Sequence, residues 1–283
     1  TGVQTCALPI FLAIQMCNNQ AQKEALQSRV IGRELQIAAN IQRSLLPKKL
    51  PQPTGWTLSA HSESASQVGG DFYDAAVVDE NSIVIAIADV MGKGVPAAMF
   101  AAIFRSHLLA RPELAPTPGK LLSWMNRVLF SDLNGVDMFV TAQVVHIDLI
   151  SRKVTLASAG HCPLFVVDGS KNKVSEHTGD GSPLGIAIDS MYPEETFQLG
   201  ANARLMMFTD GLVEVRNAAG RAFGSVTAAD LLKTSAIDEL DAAMSVKTIL
   251  DNITEFQNGT PSTDDISLVL LAESNLSPLA PQK

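Results

Sequence analysis

Only three cysteines occur in the 283 residues, Cys6, Cys17 and Cys162. They are too few and too scattered for a disulfide framework or a thiolate zinc site, so a reducing cytoplasm is the expected setting. Long apolar runs are missing as well. The longest, from 7 to 14, is broken by Pro9 and is about half the roughly 20 residues a membrane-crossing helix needs, so no membrane span is expected. No run of five or more lysines or arginines occurs, and 21 basic against 29 acidic side chains leave a net charge of −8. That balance argues against nucleic acid or an anionic membrane as the main partner. Aromatics are scarce at 5%, yet 46% of residues are apolar and 18% charged, the mixture of a globular chain and not of a disordered or fibrous one. At this length one large domain or two small ones are expected, with about 75% of the unfolded surface buried.

The chain has no initiating Met and no basic stretch ahead of residues 7–14, so that run does not read as a signal peptide. Residues 1–10 look like the in-frame translation of a sequencing-library adapter, a scar to be set aside from the fold. From 18 to 46 there is no proline and one glycine, Gly32, and strong helix formers dominate. Leu26, Val30, Ile37, Ile41 and Leu45 recur near a 3.6-residue period, interrupted at Arg33 and Glu34, and Pro47 stops the pattern. Two readings stay open: a helix lying on the following domain, or a dimerising coiled coil that links an upstream regulatory module to it. The expected boundaries are 11–47 for this linker helix, 51–272 for the main domain and 273–283 for a flexible tail.

Beyond Pro53 the texture changes to short strand-like runs, at 56–63, 72–78, 82–88, 138–148, 153–158, 164–168, 195–199, 204–209 and 266–271. Helical patterns fall at 96–110, 118–133, 227–234 and 240–257. Helices come in blocks between groups of strands, which predicts an α+β sandwich of antiparallel sheets flanked by helices and not a doubly wound parallel sheet.

Aspartates recur at the ends of apolar strands beside glycine: Gly70-Asp71, Ala88-Asp89-Val90-Met91-Gly92 and Thr209-Asp210-Gly211, with Asp264-Asp265 just ahead of the last strand. The run from Ile83 to Ala88 is nearly all apolar and reads as buried on both faces, so an aspartate at its end is costly unless something neutralises it. Singly, each is an ordinary turn or cap residue. Together they suggest a hard-oxygen site for Mg²⁺ or Mn²⁺, where two ions about 4 Å apart can clamp a phosphate and acidify water.

The ordered motifs carry a resemblance. Gly69-Gly70-Asp71-Phe72-Tyr73-Asp74, Ala88-Asp89-Val90-Met91-Gly92-Lys93-Gly94-Val95-Pro96-Ala97-Ala98, Ser158-Ala159-Gly160-His161, Thr209-Asp210-Gly211 and Asp264-Asp265-Ile266-Ser267 resemble the SpoIIE/RsbU-type branch of metal-dependent (PPM) serine/threonine phosphatases. The helix sequence from Glu34 to Pro47 is similar to that family's linker. The resemblance implies a four-layer α-β-β-α sandwich of two mostly antiparallel sheets behind a long linker helix. It implies Asp89 as a bridge between two ions, Asp71 and the Val90 carbonyl as ligands of one, and Asp210 and Asp264 as ligands of the other. Asp265, Asp74 and Gly211 would support them from behind. It further implies in-line attack of metal-activated water on phosphoserine or phosphothreonine without a phosphoenzyme. The substrate would be a phosphorylated STAS-domain anti-anti-sigma protein of a bacterial partner-switching pathway, with an upstream sensory domain and a homodimer formed through the linker.

Two features depart from the eukaryotic-type pattern: Val90-Met91 stands where a Gly-His is usual, and no arginine lies a few residues before Asp71, the nearest being Arg43. His161 reads first as a turn residue and Cys162 as a packed small hydrophobe. Gly179, Gly181, Pro183 and Gly185 suggest a substrate-side flap. Lys93 is either a phosphate contact or a solvated lysine, and Met91, Met99 and Phe100 are expected in the core. Two other classes compete: a non-catalytic pseudophosphatase that only binds a STAS or anti-sigma partner, and a hydrolase of small phosphate esters, which the few basic residues near the motifs disfavour.

Overall fold

The computed structural model describes residues 4–110, 117–169 and 171–274. Residues 1–3 of the expected scar and 275–283 of the expected tail lie outside the described residues. Helix α1 (Gln4–Leu45) is longer than the sequence pattern predicts and continues through Pro9. Its apolar stripe does not lie on the domain: Leu26 is 64% and Ile41 56% exposed, with Val30 and Ile37 also half open. Ala39, which is buried, and the half-buried Leu46 beyond the helix end make the contact instead.

Strands β1 (Trp56–Glu63), β2 (Asp71–Asp79) and β3 (Ser82–Val90) lead to helices α2 (Val95–Ala110) and α3 (Pro118–Asn134). Then follow β4 (Val140–Asp148), β5 (Lys153–Ala159), β6 (Leu164–Asp168), β7 (Lys173–His177), β8 (Glu195–Gln198) and β9 (Arg204–Phe208). The chain closes with α4 (Asp210–Glu214), α5 (Ser225–Ile237), α6 (Ala242–Gln257) and β10 (Ile266–Glu273). One sheet has the order β1-β10-β9-β6-β7 and the other β2-β3-β4-β5-β8. Every named pairing is antiparallel.

Two-residue alternation builds the layers. In β3, Ile83, Ile85 and Ile87 enter the core between the sheets, while Ala86, Ala88 and Val90 pack outward against α2 and α3. In β10, Val269 and Leu271 face inward, and Leu268, Leu270 and Ala272 face α5 and α6. Three cores separate four layers, the α-β-β-α sandwich expected. The helices use the 3.6 period: α3 buries Leu121, Leu122, Met125, Leu129 and Leu133. In α6, the Asp241 carboxylate caps the Met244 N–H at 2.7 Å, and Asn258 ends the helix in the left-handed region.

Several expectations change. Glu273 and Ser274 are not tail: the Glu273 carboxylate pairs with the two terminal nitrogens of the Arg152 guanidinium, and the Ser274 N–H donates to the Gly55 carbonyl at 2.8 Å. Met91 and Met99 are not core. Met99 is 60% exposed because Ala97, Ala101 and Phe104 take the inner face of α2, leaving Val95 and Met99 on the outer one; Phe100 does pack inward. The 179–185 segment is no free flap. Leu184 pairs with Val140 in a two-way backbone bridge, and the Asn126 amide holds the Gly185 N–H and the Ala187 and Ile188 carbonyls.

Candidate metal centre

The aspartates collect at one end of neighbouring strands in each sheet, the edge strand β2 with β3 in one and the interior strands β9 and β10 in the other. Asp71 opens β2 and Asp89 lies one residue from the end of β3, and antiparallel register sets the two directly opposite each other. In the other sheet β9 and β10 are neighbours, so Asp210, just after β9, and Asp264-Asp265, just before β10, arrive side by side.

Local packing explains the glycines between them. A Cβ on Gly211 would lie 1.9 Å from the Asp265 carbonyl oxygen, so only glycine lets α4 start against that backbone. A Cβ on Gly70 would lie 2.7 Å from the Val90 carbonyl oxygen, which sets that carbonyl close to the start of β2. The buried Asp265 carboxylate accepts from the Ala65 N–H at 2.8 Å and the Gly70 N–H at 2.7 Å, fixing the loop that leads into Asp71. Thr209 donates its hydroxyl to Asp71 Oδ2 at 2.8 Å and accepts the Ser267 N–H, so it joins Asp71 to β10 across the gap between the sheets.

Proximity of like charge in a dry place raises the carboxyl pKa values. Burial, then the Asp210, Asp264 and Asp265 charges, push Asp89 up to about 7. Burial and then Asp89 raise Asp71 well above the carboxylate range, against the Thr209 hydrogen bond. Asp210 is raised by burial, then by Glu214 and Asp264, with Lys93 acting the other way. Lys93 stands in the turn between Gly92 and Gly94, both at positive φ, and its Nζ lies 3.0 Å from Asp264 Oδ1.

Among the described residues, no three carboxylates, imidazoles or thiols stand together closely enough to share an ion. Their contacts are with protein donors instead: Asp71 with Thr209, Asp264 with Lys93 and the Asp265 N–H, Asp265 with two loop amides. The donor set is nonetheless all oxygen and strongly anionic, the chemistry that suits a hard divalent cation. The nearby Cys162 thiol is pushed up to about 12 by burial and the surrounding carboxylates, so it stays protonated and offers no soft ligand.

Asp74 does not join the group. It lies an odd number of residues from Asp71 and so projects from the other face of β2, where its carboxylate pairs with Arg105 of α2 at 3.3 Å. His161 is buried, its pKa lowered to about 4 by desolvation, and its Nδ1 lies 2.9 Å from the Thr141 hydroxyl. Thr141 is the register partner of Asp89, and the His161 ring also faces the Phe208 carbonyl just before Thr209. A neutral His161 thus ties the turn after β5 to Thr141 of β4. Thr209 and Gln42 carry contacts that the sequence did not single out. Both lie inside segments quoted for the resemblance, Thr209 in Thr209-Asp210-Gly211 and Gln42 in the run from Glu34 to Pro47.

A family model for Stage II sporulation protein E (SpoIIE) matches residues 79–272. Phosphoserine phosphatase RsbU of Bacillus subtilis is 33% identical over 242 residues, which are 85% of this chain and 70% of RsbU. The solved SiaA-PP2C domain of Pseudomonas aeruginosa shares the fold with a TM-score of 0.74 at 24% identity, covering 87% of this chain and 98% of that one. The solved RsbU and RsbW domains of Rv1364c from Mycobacterium tuberculosis match with a TM-score of 0.68 at 25% identity, over 84% of this chain and 65% of that one.

Proposed function

The chain belongs to the SpoIIE family of serine/threonine phosphatases, and from that premise we propose that it hydrolyses phosphoserine or phosphothreonine on a partner protein with the help of two Mg²⁺ or Mn²⁺ ions. Asp71, Asp89, Asp210, Asp264 and the Val90 carbonyl would hold them. The observation that carries this reading is the gathering of aspartates from both sheets in a half-buried place, where burial and then the Asp210, Asp264 and Asp265 charges move Asp89 to about 7. Such a cluster destabilises the fold unless a multivalent cation offsets it. When bound, such ions acidify water and offset charge that develops on a phosphoryl group. The chain's own residues do the positioning. Asp89 and Asp71 face each other across two strands, Asp265 holds the Gly70 N–H just ahead of Asp71 and Thr209 holds the Asp71 carboxylate, and Asp264 would bind an ion on giving up its pair with Lys93.

The substrate in this reading is a phosphorylated STAS-domain protein of a partner-switching pathway in the cytoplasm. The support is the naming of RsbU as a phosphoserine phosphatase and the joining of RsbU and RsbW domains in Rv1364c. Phosphate release from a phosphorylated STAS-domain protein is expected to exceed release from a small phosphoester by about 10²-fold or more in kcat/KM, because remote contacts lower the barrier only for the full substrate. Equal turnover of the two would reject a dedicated protein partner.

The exposed stripe on α1 supports a homodimer through the linker, below an upstream sensory module. Replacing Ile37 and Ile41, about half exposed in the monomer, by aspartate is expected to convert a dimer to a monomer in sedimentation and to change turnover. An unchanged sedimentation coefficient together with unchanged turnover would contradict the linker's role.

A further inference from the structure

A cation sits among the aspartates. Lys93 pairs with Asp264, Nζ to Oδ1 at 3.0 Å, and also donates to the Thr263 carbonyl just before it. Both partners of the pair are open to water, their side chains 44% and 40% exposed. The lysine stands between Gly92 at φ +91° and Gly94 at φ +79°, and a Cβ on either glycine would meet nothing within 4 Å. The turn therefore stands clear of packed neighbours, and the flexible four-carbon stem of a lysine there can re-aim without displacing the core.

Two arginines that border Asp71 are committed elsewhere. Arg43 lines a cavity that Asp71 also lines, but its Nη2 donates to Asn40 Oδ1 at 2.6 Å and its Nε to the Ala39 carbonyl at 3.4 Å, both on its own helix. Arg105 pairs with Asp74 on the other face of β2 at 3.3 Å. Lys93 is thus left as the cation that already touches the aspartate cluster.

A phosphoryl group on serine or threonine carries a charge of about −1.5 to −2. It would arrive among Asp71, Asp89, Asp210, Asp264 and Asp265, so positive charge beyond that of the ions favours its entry. The exposed pair that now occupies Lys93 is of the weak kind. Once Asp264 turns to an ion of twice the charge, the ammonium loses its partner and is free for another anion.

We infer that Lys93 is the cationic contact for the substrate's phosphoryl group, held on Asp264 in the metal-free chain and released to the phosphate when an ion takes that carboxylate. This rests on the metal-centre reading above. It puts a phosphate-holding residue on the turn after β3, in a chain that has no arginine a few residues before Asp71 to do that work. A lysine meets phosphate as a point charge, without the two-pronged geometry of a guanidinium.

The two roles predict effects of opposite sign. The test compares the native chain with Lys93→Gln, Lys93→Arg and Lys171→Gln. Lys171 pairs with Asp168 at 2.9 Å, at the end of β6 that lies beside the start of β9 and so away from Asp210; its variant removes the same charge elsewhere. The readouts are the Mn²⁺ Kd, the Kd of inorganic phosphate for the Mn²⁺-loaded chain, both by calorimetry, and KM and kcat on a phosphorylated STAS-domain protein. Lys93→Gln is expected to tighten Mn²⁺ binding about threefold, the size of an exposed ion pair that no longer competes. It is expected to weaken inorganic phosphate about tenfold, the size of a lost charge-assisted hydrogen bond, and to raise KM more than it lowers kcat. Lys93→Arg keeps the charge and should hold phosphate within about threefold of the native chain. Lys171→Gln should leave both Kd values unchanged. An Mn²⁺ Kd that stays or rises in Lys93→Gln, an unchanged phosphate Kd, or an equal change in Lys171→Gln would each overturn the inference and leave the metal reading in place. A native chain that binds no Mn²⁺ overturns the metal reading and this inference with it, so the native titration alone tells the two failures apart.

Discussion

Asp89→Asn is expected to lose metal-dependent phosphate release by about 10³-fold or more while melting higher than the native chain in the presence of chelator. Both effects come from one carboxylate. In the folded chain Asp89 is pushed from its ordinary 3.8 up to about 7 by burial and by Asp210, Asp264 and Asp265. A raised acid pKa means that the folded state keeps the proton longer than the unfolded one. The stabilisation from holding it is fully present below pH 3.8 and is lost as pH rises through about 7. At pH 8 and without ions the native chain therefore carries the whole cost of ionised Asp89, on the order of 4 kcal/mol for a rise from 3.8 to about 7 at about 1.4 kcal/mol per unit. Asparagine removes it. The difference in melting temperature between variant and native chain should grow from pH 4 to pH 8 by about 5 °C or more. Saturating Mn²⁺ should shrink or reverse that difference, because only the native chain gains stability from binding. A variant that melts below the native chain at pH 8 in chelator would contradict the repulsion argument.

Gly211→Ala is expected to be the most damaging single methyl in the domain. The added Cβ would sit 1.9 Å from the Asp265 carbonyl oxygen and 2.9 Å from its carbon, both backbone atoms that no side-chain rotation can move away. Relief requires α4 to retreat from the segment just ahead of β10 that carries Asp264 and Asp265. That separates Asp210 from Asp264 and disturbs the Asp265 carboxylate that holds Ala65 and Gly70. The expected cost is about 2–3 kcal/mol of stability, with about a hundredfold or greater loss of Mn²⁺ affinity. Gly220→Ala is the control: a Cβ there meets nothing within 4 Å, and its φ of +75° brings backbone strain alone. Equal loss of ion affinity in the two variants would show that strain, not the close approach to Asp265, is what matters.

Strands with clean alternation and sharp turn signals were legible in the sequence. β1 and β6 have the predicted bounds, and β3 is buried on both faces as its run of isoleucines implies. β7 (Lys173–His177) escaped because an edge strand reading Lys-Val-Ser-Glu-His has one apolar residue and no period to detect. α4 escaped because five residues are too few for a helical pattern. The stripe on α1 was visible, but which way it faces is decided by tertiary contacts, and the structure turns it outward.

The aspartates were legible because each stands where an apolar strand meets glycine. Asp74 shows how a motif can mislead: it is quoted beside Asp71, yet the odd spacing along a strand already sends it to the opposite face, toward Arg105. Gln42 lies in the quoted run from Glu34 to Pro47, yet its partner was beyond reach for another reason. It meets a residue 27 positions away through backbone atoms, and backbone atoms leave no mark on composition or period.

The most direct test of the account is phosphate release by the native chain from a phosphorylated STAS-domain protein, measured in Mn²⁺, in Mg²⁺ and in chelator. The account predicts release with at least one of the ions and none with chelator. Release that persists unchanged in chelator would contradict the metal centre, and no release in any condition, with no ion binding by calorimetry, would make the chain a binding module instead of an enzyme.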